Sequence, residues 1–455
     1  SYGQTNKKYF FEQLNSLDGL SSNIVEDVFQ DSDGFLWVCT KDGLNRYDGY
    51  SFKTFKPSLK QQNTFSSNKF TCIAEDQKGR LWIGTKNNGI NIYNKSTGKV
   101  RHISDDTTDP RLPSASISAI HIDSDGNKWI GTINYGLLRL DSANRLTVYR
   151  TKSNHLSSVQ NIREIYEDRS GRIWMGDWDQ GVLYYDRTRD DFVRVELPWP
   201  RETGVKTIAS IFQDTKGRYW FGSWGSGLFR MDSFGLEPAQ IKHYSFKKRF
   251  SSKRPKSSEI GNLIYSIEED KNGDIWLGTN NGIVIMDQHT AQTKWKIRAS
   301  QENQYAPDNS QIYNLFSDRE GIMWVGTRGS GLNKVNLDRK KFHLHEVPFE
   351  QSKMARESSV FSFCELDRDD LLIGVKSEGF FKHNKSTNEI TSYRNLKAFE
   401  DLPWLNLVYD FHKDSRGRIW LGTRYHGLYR VDMEKGGYVH LNERYEGLNR
   451  RAVYC

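Results

Sequence analysis

Five of the thirteen tryptophans stand outside the repeating pattern that occupies the rest: Trp178, Trp199, Trp224, Trp295 and Trp404. An indole on a loop is suited to stacking on the apolar face of a sugar ring, and a Lys or Arg beside it is suited to a carboxylate or sulfate. Such cations follow closely. Between Lys242 and Lys256 there are seven Lys or Arg, including Lys247, Lys248 and Arg249, and no acid. They account for nearly all of the net charge of +8 left by 65 basic and 57 acidic side chains. Two readings of this stretch stand side by side: a solvated loop, and an electrostatic lure for an anionic ligand. Nucleic acid is disfavoured, because the basic residues are confined to one loop with no nucleic-acid motif beside them.

Carboxylates offer a second chemistry. Asp177 and Asp179 stand two apart, and paired carboxylates are what glycoside hydrolysis needs. Neighbours in one loop do not by themselves flank a glycosidic bond, so Asp179 is assigned to hydrogen-bonding sugar hydroxyls or the basic loop. The Asp-x-x-Gly segments, such as Asp31-Ser32-Asp33-Gly34 and Asp123-Ser124-Asp125-Gly126, invite a calcium reading. Their middle residues vary freely, as in Arg169-Ser170 and Thr215-Lys216, and no later Glu completes a calcium loop. They read as hairpin turns. No Ser-based elbow, metal-binding His pair or phosphate loop is present, and no catalytic residue, metal or cofactor is assigned.

The elements that must position these residues are repeats. Gly-x-x-Trp-x-Gly-Thr recurs with its Trp at 37, 82, 129, 174, 220, 276, 324 and 420, and a worn copy without Trp lies at Asp370 to Val375. Each of the nine units has the same layout. In the fifth, Ile208-Ala209-Ser210-Ile211-Phe212 alternates as a strand, Gln213 to Gly217 supplies turn chemistry, and Tyr219-Trp220-Phe221 opens a second strand. Leu228 to Asp232 and Ile241 to Tyr244 give a third and a fourth. Four antiparallel strands every 45 or so residues are the mark of an all-β propeller, with the recurring Trp packing blade on blade. In such a blade the loop joining strands two and three emerges on the same face as the loop leading to the next blade. Trp178 and Trp224 lie in the former loops of blades four and five, Trp199 in the latter loop between them, and the basic stretch follows. They converge on one sector of one face, either as a ligand site or as loop-on-loop or inter-propeller packing. Arg328, Arg424, Tyr425 and His426 occupy equivalent loops of blades seven and nine. The candidate ligand set is Trp178, Asp179, Trp199, Trp224, Lys247, Lys248, Arg249 and Arg328.

Units such as Glu269-Asp270-Lys271-Asn272-Gly273-Asp274-Ile275-Trp276-Leu277-Gly278-Thr279, with the opening Asp18-Gly19-Leu20-Ser21-Ser22-Asn23, resemble the two-component regulator propeller repeat. The resemblance implies the periplasmic sensor half of a hybrid two-component system that binds oligosaccharides released from complex glycans and controls polysaccharide-utilisation genes. It implies two seven-bladed propellers, then a small β-sandwich, a membrane helix, a histidine kinase and response-regulator modules, with a homodimer in the full-length protein. No stretch of about 18 apolar residues is present here, so a membrane would be reached only through such later segments. The chain's ending at Cys455, after what reads as the first strand of a tenth unit, suggests a fragment. The alternatives are a glycan-cleaving propeller enzyme of sialidase or lyase type and a protein-interaction propeller.

Ring closure is expected near residue 339. Lys8 to Leu14 read as a fourth strand lacking its first three, suited to completing the seventh blade. This gives a first propeller over 1–339 and the start of a second over 340–455. Cys39, Cys72, Cys364 and Cys455 have no metal-like spacing and read as buried thiols, with a Cys39 to Cys72 disulfide as the other reading.

Overall fold

One blade shows how the repeat folds. Ile208–Gln213 and Tyr219–Ser223 pair antiparallel, and Leu228–Met231 and Lys242–Tyr244 extend the sheet outward. The turn between the first two strands is held by Asp214. Its carboxylate accepts the backbone N–H groups of Lys216 and Arg218 through Oδ1, and Oδ2 accepts the indole N–H of Trp220 at 2.8 Å. Gly217 takes φ +79°, a left-handed conformation that costs glycine least. The same indole-to-carboxylate bond, Trp Nε1 to Asp Oδ2 at 2.7 to 2.9 Å, occurs at Trp37, Trp82, Trp129, Trp174, Trp276, Trp324 and Trp420. The hairpin turns are thus carboxylate pins for the buried tryptophans. The pin satisfies an indole donor that burial would otherwise strand.

The computed structural model describes residues 9–58, 64–103, 116–143, 145–149, 161–201, 206–246, 262–300, 306–307, 309, 311–337, 359–375, 379–387, 389–393, 408–424, 426–432 and 437–441. Among them are nine four-stranded antiparallel sheets and no α-helix, so no described helix is long and apolar enough to cross a membrane. The chain divides into two compact units, 1–339 and 340–455.

In the first unit, seven sheets form a closed seven-bladed propeller. The innermost strands, Val25–Gln30, Phe70–Glu75, Ser116–Ile122, Ile162–Glu167, Ile208–Gln213, Ile264–Glu269 and Ile312–Ser317, neighbour one another in chain order, and the last lies beside the first. Glu12–Leu14 pairs antiparallel with Leu332–Asn336 and supplies the seventh sheet's outer strand. Arg319 reinforces the seam, donating to the backbone carbonyls of Asp31 and Ser32. The apolar core lies between blades. Trp220 and Leu228 of blade five pack with Ile264, Ile267 and Leu277 of blade six, and burying an indole this completely is worth about 3 to 5 kcal/mol. Blades approach so closely that a Cβ on Gly222 would sit 2.7 Å from the Ile264 side chain, which accounts for the second Gly of the repeat.

The second unit contains two blades of the same build, from Val360–Glu365 to Ile390–Ser392 and from Val408–Lys413 to Gly437–His440. In the worn repeat Leu372 stands where the others have Trp, and Leu366 where they have the pinning Asp. The two leucines pack in one apolar cluster. Both partners of the polar pin have gone, leaving neither an orphaned indole nor an unpaired buried carboxylate.

Candidate functional site

Every innermost strand breaks register near its start, at the second residue or, in Ser116–Ile122, at the third. In the first unit the shift leaves Glu26, Thr71, Ser118, Arg163, Ala209, Tyr265 and Tyr313 outside the ladder. A bulge re-aims the side chain of its extra residue. In six of the seven blades the first residue after the second strand is fastened nearby. The backbone N–H groups of Lys41, Lys86, Trp178, Trp224, Asn280 and Arg328 donate to the carbonyls of Ile24, Lys69, Asn161, Thr207, Leu263 and Gln311, which lie just before the innermost strands. Bulge residues and loop residues therefore meet around the start of the innermost strands, at the mouth of the ring.

The side chains there form a continuous arc. The rings of Trp178 and Trp224 are 5.4 Å apart, Trp224 meets Tyr265 edge-on at 5.2 Å, and Tyr265 stacks on Tyr313 at 4.4 Å. The Arg163 guanidinium lies over both indoles, 5.3 Å from Trp178 and 5.4 Å from Trp224. Arg328 closes the arc, 4.8 Å over the Tyr313 ring and bonded to its hydroxyl. Each cation gains from the ring quadrupole, while part of each ring remains open.

Charge is unbalanced at this mouth. Glu26 is raised above the ordinary carboxylate range by burial, against the opposing pull of Lys41, Arg328, Lys86 and Arg163. Four cations thus act on one carboxylate, and among the described residues no ion pair joins any of them to an acid. Burial draws Arg163 below the usual guanidinium value, with Tyr313, Glu164, Glu26 and Tyr265 acting the other way. Burial also pushes Tyr265 up to about 12. The residues after Glu26 and Arg163 add Asp27 and Glu164, which burial raises to about 7 and about 8, with Glu26 further disfavouring the charge on Asp27 and Asp27 that on Glu164. Asp27 accepts the Ile73 backbone N–H at 3.0 Å and the Asn314 amide at 3.1 Å.

The structure brings together Trp178, Trp224 and Arg328. Trp199 lies elsewhere: its ring packs edge-on against Phe229 at 4.8 Å, within the apolar cluster of Ile208, Phe221 and Ile241. Asp179 is exposed beside Trp178. Asp177 is buried and serves the turn, its Oδ1 accepting the backbone N–H groups of Asp179 and Gln180 as a Thr or Ser hydroxyl accepts one in other blades. Those contacts explain the pair without acid and base roles. Lys247, Lys248 and Arg249 lie outside the described residues, as do Trp404 and Tyr425. Of the basic stretch, Lys242 is ion-paired with Asp232, and His243 stacks on Phe229. Trp295 packs in the cluster of Tyr9 and Trp276. Cys39, Cys72 and Cys364 are buried free thiols, and no group of three or more His, Cys, Asp or Glu among the described residues is placed to hold a metal.

Reading the sequence missed Glu26, Lys41, Lys86, Arg163, Tyr265 and Tyr313. The available signal was the register-break position of the innermost strands, where Glu26, Arg163, Tyr265 and Tyr313 stand, and the first position after the second strand, where Lys41 and Lys86 stand.

The two-component regulator propeller model matches residues 19–42, 64–87, 258–281, 306–329 and 404–425. Histidine kinase P4 of Formosa agariphila is 25% identical over an alignment that covers 97% of this chain and 35% of that protein. The extracellular domain of a putative hybrid two-component system from B. thetaiotaomicron superposes with a TM-score of 0.63 at 24% identity, over 94% of this chain and 54% of that one. Virginiamycin B lyase of Staphylococcus aureus shares the fold at a TM-score of 0.54 and 13% identity, over 72% of this chain and 99% of the lyase. The chain therefore spans about a third of the kinase and about half of the extracellular domain. The five matched segments lie on the strand-turn-strand repeats whose pinned tryptophans build the blades, so at those segments the chain carries repeats of the two-component regulator propeller type.

Proposed function

We propose that this chain is the ligand-sensing region of a hybrid two-component system, positioned in the periplasm, and that it binds an anionic oligosaccharide released from a complex glycan. Binding is passed to a histidine kinase encoded further along the full-length protein, as a homodimer, to regulate polysaccharide-utilisation genes. The observation that carries this reading is Arg163, held over Trp178 and Trp224 with no ion-pair partner among the described residues. Indole faces offer stacking surface to sugar rings, and Arg163, Arg328, Lys41 and Lys86 offer an anion more charge than Glu26 alone returns. A signal follows only if ligand prefers one of two arrangements of the whole sensor, because equal affinity for both shifts no population.

The test is calorimetry of the purified chain against sulfated, uronate-containing and neutral oligosaccharides, with reducing ends and unsaturated products followed in parallel. Saturable binding of an acidic member without turnover is expected, its tightest class weakened about a hundredfold in Trp178→Ala/Trp224→Ala. Product formation would replace the sensor with a glycan-cleaving enzyme, and binding indifferent to the double substitution would move the site away from the mouth.

A further inference from the structure

The second unit repeats part of this arc at a constant offset. Tyr265, Tyr313 and Arg328 have counterparts 96 positions later in Phe361, Tyr409 and Arg424. The counterparts keep their structural places. Register breaks between Val360 and Ser362 and between Val408 and Asp410, so Phe361 and Tyr409 are bulge residues as Tyr265 and Tyr313 are. Arg424 directly follows its blade's second strand, Ile419–Thr423, as Arg328 follows Ile322–Thr327. The geometry is reproduced too. Phe361 and Tyr409 stack at 4.7 Å with 22° between planes, against 4.4 Å and 20° for Tyr265 and Tyr313. Arg424 lies 5.9 Å over Tyr409, where Arg328 lies 4.8 Å over Tyr313.

A bulge and a stacked pair are not needed to fill this blade's core, which Phe380, Tyr393 and Phe411 occupy. Phe361 instead stands 38% exposed, which leaves part of its ring in water against Tyr409, the ring over which Arg424 lies. We infer that Phe361, Tyr409 and Arg424 form a second binding site, separate from the arc of the first unit, for the same class of ligand: a sugar ring carrying a carboxylate or sulfate. Stacking on Phe361 and Tyr409 holds the ring, and Arg424 takes the charge. Among the described residues this site shows one arginine over a ring where the first unit gathers four cations, so its affinity is lower. The inference rests on the oligosaccharide reading proposed above, and it makes the sensor divalent.

The experiment is calorimetry of the whole chain with an acidic oligosaccharide selected by the first panel. Two classes of site are expected, the weaker by about tenfold or more. Trp178→Ala/Trp224→Ala should leave the weak class with a stoichiometry of one. Tyr409→Ala/Arg424→Gln should remove it and leave the tight class unchanged, while Tyr409→Phe keeps it, and thermal unfolding of each variant checks that the fold is intact. A stoichiometry of one that disappears with Trp178→Ala/Trp224→Ala and ignores Tyr409→Ala/Arg424→Gln would overturn the second site and leave the proposed function standing. No binding of any acidic sugar would overturn both.

Discussion

Trp174 and Trp178 stand four residues apart in one blade, as do Trp220 and Trp224 in the next, yet the members of each pair live in opposite environments. Trp174 and Trp220 are fully buried, and each indole N–H is held by a carboxylate. Trp178 and Trp224 are half-buried at the mouth of the ring and face the guanidinium of Arg163. An indole edge, positive at its N–H, is matched to an acid; an indole face, negative, is matched to a base. The first match closes a core, whereas the second leaves surface for a ligand. Composition cannot separate the two, but the partner chemistry does.

Substitution separates them most sharply. Trp220→Ala should cost about 3 to 5 kcal/mol of stability, read from denaturant midpoints. Equal loss from Trp224→Ala would erase the distinction. Trp178→Ala/Trp224→Ala should instead weaken acidic oligosaccharide binding about a hundredfold, ~2.7 kcal/mol, with stability changed by less than about 1 kcal/mol. Asp214→Ala should cost about 1.5 to 3 kcal/mol, because it strands the buried Trp220 N–H; a neutral outcome would mean that the pin is ornamental.

Smaller effects test the electrostatics beneath the mouth. Glu164, raised to about 8 by burial, favours its protonated form in the folded chain. Its contribution to stability is fully present below the unfolded carboxylate pKa of about 4 and is lost as pH rises through 8. Glu164→Gln removes that titration, so the variant should gain stability relative to the parent between about pH 4 and 8 and level off above it. Urea midpoints across the series check this, and a difference independent of pH would refute the assignment. The smallest expected effect is screening: affinity for the acidic ligand should fall steadily with added salt, less steeply in Arg328→Gln. A salt-independent affinity would point to a neutral sugar.

Much of the fold was legible. The eight Trp positions and the turns before them gave nine units of four strands, because strand alternation and turn chemistry are local. The site was legible in part. Trp178, Trp224 and Arg328 were found as exceptions to the repeat, while Trp199, an exception of the same kind, proved to fill a core beside Phe229. An off-pattern tryptophan indicates a departure from the repeat without indicating which side of the sheet receives it. Arg163, Tyr265 and Tyr313 escaped notice because they sit inside strands that mix polar and apolar residues as any half-buried strand does.

The sequence by itself determined the period, the turns and the carboxylate six residues before each packing Trp, since these depend on contacts within one hairpin. Which of the variable residues come together was decided only by the tertiary structure. Ring closure carries the starts of seven strands to one mouth, and a bulge in each strand turns one side chain out of its ladder. Arg163 meets Trp224, and Tyr265 meets Tyr313, across boundaries between blades, because curvature summed over the ring sets those distances and no single repeat encodes them.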